Sequence, residues 1–120
     1  LAAKIEDNKI LNDKNVVKVI TDKKLEENNF PIALNFTRDN FSTDFQNIYH
    51  HIGIYSYKVN VLKKFISLDQ TSNEKKNKLE QMRAVDNKLK INVALAKSSP
   101  IGVDTEKDYL AIKKIMEYKI

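Results

Sequence analysis

The chain has 120 residues, 42% of them hydrophobic and 31% charged, which is typical of a single soluble globular domain. This composition excludes wholesale disorder and fibrous repeats, and the length excludes a second domain. The net charge of +5 favours anionic partners. However, all but two of the 21 basic residues are lysines spread among acids, so we predict no nucleic-acid partner. No apolar run approaches the roughly 18 residues of a membrane span, so we predict no membrane partner either.

Several kinds of site are excluded by residue types that are rare or missing. The chain has no cysteine, which excludes disulfides, iron–sulfur clusters and thiolate zinc sites. It has only two glycines, so a glycine-rich phosphate loop is excluded as well. The sequence begins with Leu1 rather than Met, and we therefore expect a piece of a longer protein, with residues 1–120 forming one partial domain.

The first half of the chain predicts three strands. The first fourteen residues show too little periodicity for an element and predict a loop. Residues 16–20 are rich in β-branched side chains, and residues 32–36 follow a proline that suits a strand start, so both segments predict strands. Residues 39–46 are polar and predict one amphipathic turn at most. Residues 51–57 predict the clearest strand.

The second half predicts helices around one further strand. Apolar residues recur at helical spacing over residues 59–66. Capping boxes open two more predicted helices, one at Thr71 with Glu74 and one at Thr105 with Asp108. Residues 91–95 alternate as a strand between them. This order predicts an α/β or α+β architecture, with parallel crossover units towards the C-terminal end.

Two groups of candidate ligand-binding residues stand out. The period of two in the predicted strand places His51 and Tyr55 on one face, where imidazole and phenol groups suit a polyhydroxylated ligand or a carboxylate. A buried, hydrogen-bonded pair with no ligand is the structural alternative. Glu80 and Gln81 lie on one predicted helix turn with Arg83 and suit sugar hydroxyls. Alternatively, Glu80 and Arg83 form a surface ion pair.

Two further charged residues are candidates at element ends. Asp104 precedes the Thr105 cap, where a carboxylate either favours the helix N-terminus or holds a divalent cation. Arg38 ends the second predicted strand, where it faces either an anionic ligand or a subunit interface. The sequence alone leaves both choices open.

Three motifs, taken in order, resemble one family. Residues 51–55 (HIGIY), 79–83 (LEQMR) and 102–105 (GVDT) are similar to the C-terminal half of the CMP-Kdo synthetases, the 3-deoxy-manno-octulosonate (Kdo) cytidylyltransferases. The resemblance extends to residues 16–22 and 33–38 and so covers nearly the whole chain. It implies an α/β fold: the C-terminal part of a Rossmann-like, nucleotide-diphospho-sugar-transferase-like three-layer structure with a mixed sheet.

The resemblance also implies an activity. Members transfer CMP from CTP to Kdo, with Mg²⁺ as cofactor, releasing pyrophosphate for lipopolysaccharide synthesis in the cytoplasm, and they act as homodimers. By the family's pattern, the Kdo pocket is lined by His51, Tyr55, Glu80 and Gln81. Asp104 is a Mg²⁺ ligand, and Arg38 lies near the sugar or the dimer contact.

Two departures from the family pattern limit this expectation. The family's N-terminal half, with its basic phosphate loop, cytosine contacts and second metal-binding aspartate, has no counterpart here, so we expect no turnover of CTP by the isolated chain. Residues 35–38 read NFTR where the family has an aromatic residue, Phe, Ser and Arg. Two rival interpretations remain: a cytidylyltransferase for another 2-keto sugar acid, and a non-catalytic binding or assembly module.

Overall fold

A computed structural model describes residues 1–39, 46–99 and 101–119. Most of the turn predicted over residues 39–46 lies outside the described residues. The helices and strands, in chain order, are β1 (Ala2–Ala3), α1 (Asn8–Asn12), β2 (Lys18–Thr21), β3 (Ala33–Thr37), β4 (Ile48–His51), α2 (Val59–Ile66), α3 (Ser72–Asn77), α4 (Met82–Asp86) and α5 (Glu106–Glu117). The predicted α/β fold class is confirmed.

The four strands form one sheet in the order β1-β4-β2-β3, and each neighbouring pair runs antiparallel. The prediction of parallel crossover units is therefore wrong for these strands. The predicted crossover unit runs from β4 through the following helices to residues 91–95, and these residues form no strand, so its second strand is missing. A single parallel bridge, between Ala2 and Leu95, gives the sheet its mixed character.

The predicted strand over residues 91–95 is replaced by two separate contacts with the sheet. At one end, Ala33 N–H donates to Ile91 O (2.9 Å) and Val93 N–H donates to Pro31 O (2.9 Å). Three residues beyond Val93, Ala96 N–H donates to Ala2 O (2.8 Å). The segment thus links β3 with β1, which lie at opposite edges of the sheet, and it forms no continuous ladder with either.

The strand predicted over residues 51–57 is also shorter and earlier than expected. β4 ends at His51, and Ile54 N–H donates to Ile52 O (2.8 Å), a tight turn that ends the ladder. The pairing of Lys18 with His50 fixes the register of β4 against β2. Residues beyond the turn lie outside the sheet, so the two-residue period does not apply there.

The N-terminal residues hold two elements that the sequence did not predict. β1 consists of two buried alanines, which carry no alternating pattern. α1 is a five-residue helix capped by the Asp7 side chain, which accepts from Lys9 N–H. The prediction of a loop over the first fourteen residues is therefore wrong. Both elements are too short to give a periodic signal in the sequence.

Both predicted capping boxes are present, at Thr71 and at Thr105. The helix that starts after Thr71 ends early, because Lys78 adopts a left-handed conformation (φ 52°) and separates α3 from α4. α5 has no buried residue among those described. None of the described helices has both the length and the apolar character required to cross a membrane.

The hydrophobic core lies against the sheet and is closed by the segment around α4. Its buried members are Ala2, Val19, Leu25, Ala33, Phe36, Tyr49, Leu79, Met82 and Val93. The core thus brings Ala2, near the N-terminus, together with Leu79, Met82 and Val93 from the second half of the chain.

Candidate sugar-binding site

A cavity of about 470 Å³ lies between the end of β4, α2 and the segment that follows α4. Its polar lining includes His51, Tyr55, Tyr57, Gln81, Lys90 and Asn92. Its apolar walls include Phe36 from the sheet and Phe65 from α2. A volume of this size suits a ligand of several hundred daltons.

His51 and Tyr55 are brought together as the sequence predicted, although by a turn and not by a strand. The Tyr55 hydroxyl lies 2.6 Å from Nε2 of His51, and it donates to this nitrogen when the imidazole proton is on Nδ1. Burial, with nearby cationic groups adding to it, lowers the pKa of His51 from 6.5 to about 4. His51 is therefore neutral at physiological pH.

An aromatic row continues from this pair along the cavity wall. Ring centroids are 5.4 Å apart for Phe36 and His51, 6.2 Å for Tyr55 and Tyr57, and 6.0 Å for Tyr57 and Phe65. Burial raises the pKa of Tyr55, and the neighbouring Tyr57 and Glu80 raise it further. Burial and Glu80 also raise the pKa of Tyr57, so both phenols keep their protons at neutral pH.

The structure separates Glu80 from Gln81. Gln81 lines the main cavity, and its Nε2 is buried without a hydrogen-bond partner among the described residues. Glu80 is exposed and lines a smaller neighbouring cavity of about 350 Å³. Its charge adds to the effect of burial in raising the pKa of Tyr55 and of Tyr57, both of which line the main cavity.

The partner of Arg83 is Glu74, and the alternative of a Glu80–Arg83 surface pair is wrong. Arg83 Nη2 donates to Glu74 Oε1 (2.6 Å) and Arg83 Nε donates to Glu74 Oε2 (2.9 Å). This bidentate bond lowers the pKa of Glu74. The nine-residue separation of the two side chains gives no periodic signal, so the sequence identified Glu74 only as a helix cap.

Arg38 and Asp104 do not line either cavity. The Arg38 guanidinium donates to the main-chain oxygens of Asn15 (3.3 Å), which precedes β2, and of Asn77 (3.4 Å), the last residue of α3. Asp104 is exposed before α5, and its N–H donates to Asp108 Oδ2 (3.2 Å). Within residues 1–39, 46–99 and 101–119, no three acidic, His or Cys side chains cluster as a metal site.

The cavity contains functional residues that the sequence analysis missed. Lys58 and Lys90 line it, whereas none of its described lining residues is an Asp or a Glu. Both lysines are exposed residues within a lysine-rich sequence, so only their position in the fold distinguishes them. The lining is thus cationic and rich in hydrogen-bond donors, which favours an anionic ligand with several hydroxyl groups.

The chain resembles known proteins throughout its length. A family model described as cytidylyltransferase matches residues 1–91. The 3-deoxy-manno-octulosonate cytidylyltransferase of Bartonella henselae is 40% identical over 116 residues, which is 97% of this chain and 47% of that protein. The Brucella anthropi protein of the same name is 37% identical over 108 residues, which is 90% of this chain and 43% of that protein.

A solved structure confirms the predicted fold. CMP:2-keto-3-deoxy-manno-octonic acid synthetase, complexed with CTP, superposes with a TM-score of 0.82 at 22% identity, covering 99% of this chain and 48% of that one. The chain thus spans about half the length of the relatives it matches. The family match stops before Asp104 but includes the cavity up to Ile91. From its sequence match over three quarters of its residues, the chain belongs to the cytidylyltransferase family.

Proposed function

We propose that this chain serves in the transfer of CMP from CTP to Kdo, which gives CMP-Kdo and pyrophosphate. In this proposal the main cavity holds the sugar acid. The names of the Bartonella and Brucella relatives support the choice of reaction, and the likeness to a synthetase complexed with CTP supports the nucleotide.

The observation that carries the proposal is the chemistry of the cavity lining. The neutral His51–Tyr55 pair offers a hydrogen-bond donor or acceptor, and the buried Gln81 amide has donor capacity that no other described residue uses. Lys58 and Lys90 add positive charge with no lining carboxylate to offset it. Kdo is a polyhydroxylated carboxylic acid, and this combination matches both of its features.

The proposed chemistry is a substitution at the α-phosphorus of CTP. The anomeric hydroxyl of Kdo forms the new P–O bond, the bond to the β-phosphate breaks, and the hydroxyl proton is released as pyrophosphate leaves. The role of this chain is to orient the sugar hydroxyl and hold it near the phosphate, which reduces the entropic cost of the bimolecular step. The aromatic row of His51, Tyr55 and Tyr57 excludes water from one side of the sugar.

Mg²⁺ is the cofactor of this proposal, and Asp104 is its candidate ligand. Asp104 is exposed, and Mg²⁺ usually takes one or two protein carboxylates and completes its shell with water and substrate phosphates. When bound, Mg²⁺ supplies positive charge that stabilises the triphosphate during substitution. The proposal also includes a homodimer, a cytoplasmic location and a role in lipopolysaccharide synthesis.

Calorimetric titration of Kdo tests the proposal directly. The protein is the product of the complete reading frame that contains residues 1–120, as wild type, Gln81→Ala and Glu80→Ala. An exposed glutamine away from the cavity gives the matched control, Gln46→Ala. We expect Gln81→Ala to weaken Kdo binding by about threefold to tenfold, as for loss of one neutral hydrogen bond, and the control to leave it unchanged.

The outcomes also separate the rivals. Tighter binding of N-acetylneuraminic acid than of Kdo would favour a cytidylyltransferase for another 2-keto sugar acid. Absence of binding of either sugar acid by the wild-type protein would contradict the proposal and favour a non-catalytic module. Glu80→Ala decides whether Glu80, which lines the smaller neighbouring cavity, reaches the sugar as the family's pattern implies.

A further inference from the structure

We propose that the Glu74–Arg83 ion pair is a positioning device that holds Gln81 in the sugar cavity. This inference rests on the proposed function, because the consequence of positioning Gln81 is sugar affinity. Neither side chain lines the main cavity, so they act through Gln81 and through the cavity wall.

The segment that carries Gln81 has little intrinsic stability of its own. Gln81 precedes α4, which has only five residues, and its side chain makes no capping hydrogen bond there. Lys78, in a left-handed conformation, separates this segment from α3. Because so short a helix is unstable in isolation, contacts from outside must fix its position. Buried Leu79, Met82 and Ala84 supply apolar contacts, which are not directional.

The ion pair supplies the missing directional restraint. Two parallel hydrogen bonds of 2.6 and 2.9 Å join the planar guanidinium to the carboxylate, and such a fork fixes orientation as well as distance. Glu74 is only 5% exposed, so water competes weakly for the pair. Arg83 is two residues after Gln81, and the N–H groups of Ala84 and Val85 both donate to Gln81 O (3.1 and 3.2 Å). Orienting Arg83 therefore orients the main chain of Gln81.

Both ends of the pair are themselves anchored. Glu74 Oε2 accepts from Thr71 N–H (3.3 Å) in the capping box, which fixes the carboxylate to the first turn of α3. At the other end, the Arg83 guanidinium carbon lies 4.9 Å from the ring centroid of Phe65, a cation–π contact. Phe65 lines the sugar cavity beside Tyr57. The pair thus connects α3, α4 and the α2 wall of the cavity.

The chain provides a matched control for this connection. Asn73 Nδ2 donates to Asp86 Oδ1 (3.0 Å), so a second side-chain contact joins the same two helices. Asn73 and Asp86 are both exposed, and neither touches the main cavity. Asn73→Ala therefore removes a link between α3 and α4 but keeps the Glu74–Arg83 ion pair.

The test compares Arg83→Lys and Glu74→Gln with Asn73→Ala in the product of the complete reading frame. Arg83→Lys keeps the charge but loses the fork, and Glu74→Gln keeps the shape but loses the charge. For both we expect the Kd and KM for Kdo to rise about tenfold, with the KM for CTP within twofold of wild type. Asn73→Ala is expected to leave both KM values within twofold. If the ion pair had only a structural role, Arg83→Lys and Glu74→Gln would raise the KM values for Kdo and CTP alike, and the two variants would not differ from Asn73→Ala.

A second measurement separates failure of this inference from failure of the proposed function. In the product of the complete reading frame, hydrogen exchange at the Ala84 and Val85 amides is expected to accelerate in Arg83→Lys and Glu74→Gln but not in Asn73→Ala. If the wild-type protein binds no Kdo, the proposed function fails and amide exchange alone decides the inference. Unchanged exchange, or Kdo affinity equal to that of the control, would overturn it.

Discussion

The Tyr55 hydroxyl lies 2.6 Å from Nε2 of His51, although the strand that carries His51 ends at that residue. The turn at Ile52 and Ile54 returns the chain towards β4 and brings the phenol back to the imidazole. A polar pair at the wall of a cavity thus depends on the main-chain turn that separates its two members. Because both groups are neutral at physiological pH, the pair presents hydrogen bonds and no charge to a ligand.

Tyr55→Phe is expected to weaken Kdo binding by about threefold to tenfold, because it removes one neutral hydroxyl and keeps the ring. The measurement is calorimetric titration of Kdo into the product of the complete reading frame. Tyr109→Phe is the control, since Tyr109 is an exposed tyrosine on α5 outside the cavity. Equal affinity of the Tyr55→Phe variant and the control would contradict a role of the Tyr55 hydroxyl in sugar binding.

The low pKa of His51 makes stability depend on pH in a defined window. The folded pKa is about 4 and the ordinary value is 6.5, so between these pH values the unfolded chain binds a proton that the folded chain does not. The free energy of unfolding is therefore greatest above pH 6.5 and falls as the pH falls towards 4. For a shift of this size the loss is at most about 3 kcal/mol.

Urea unfolding of the chain at a series of pH values between 4 and 7 measures this slope. His51→Gln should reduce it, because the glutamine does not titrate. Burial also lowers the pKa of His50, so His50→Gln serves as the comparison and should remove only the smaller part. A slope unchanged in His51→Gln would show that His51 is protonated equally in both states.

Tyr49→Phe tests the link between the sheet and the loop before β3. The Leu25 N–H donates to the Tyr49 hydroxyl (2.8 Å), and both residues are buried in the core. Phenylalanine would leave this N–H buried without an acceptor, at a cost of about 1–3 kcal/mol in the free energy of unfolding. Chemical denaturation measures it, with Tyr118→Phe as the control at an exposed position. A loss of less than about 0.5 kcal/mol would indicate that water reaches the Leu25 amide.

The sequence predicted those elements that carry their own local signal. The capping boxes at Thr71 and Thr105 are present because they need only residues three positions apart. The sequence failed where tertiary contacts decide the structure. The left-handed Lys78 ends the helix that the Thr71 capping box opens, and residues 91–96 divide their hydrogen bonds between the two edges of the sheet.

The candidate site was predictable only in part for the same reason. His51, Tyr55 and Gln81 lie in short motifs, and all three line one cavity. Lys58 and Lys90 stand in ordinary lysine-rich surroundings, so their sequence neighbours give no sign of the cavity. Glu74 and Arg83 lie on two different helices, which the left-handed Lys78 separates. The i, i+3 and i, i+4 spacings that identify pairs within one helix therefore do not reveal this pair.

Asp104→Asn tests the proposed metal ligand, because the amide keeps the shape of the side chain and loses the charge that Mg²⁺ prefers. Asp104 is exposed and does not cap α5, a role taken by Thr105, so the substitution should leave the fold intact. In the product of the complete reading frame, with CTP present, we expect the affinity for Mn²⁺, measured by electron paramagnetic resonance, to fall about tenfold or more. Glu106→Gln removes an exposed carboxylate two residues away and is the matched control. Equal Mn²⁺ affinity in the two variants would assign the metal to other residues, whereas a loss confined to Asp104→Asn would extend the nucleotide site beyond the 1–91 segment that the family model matches.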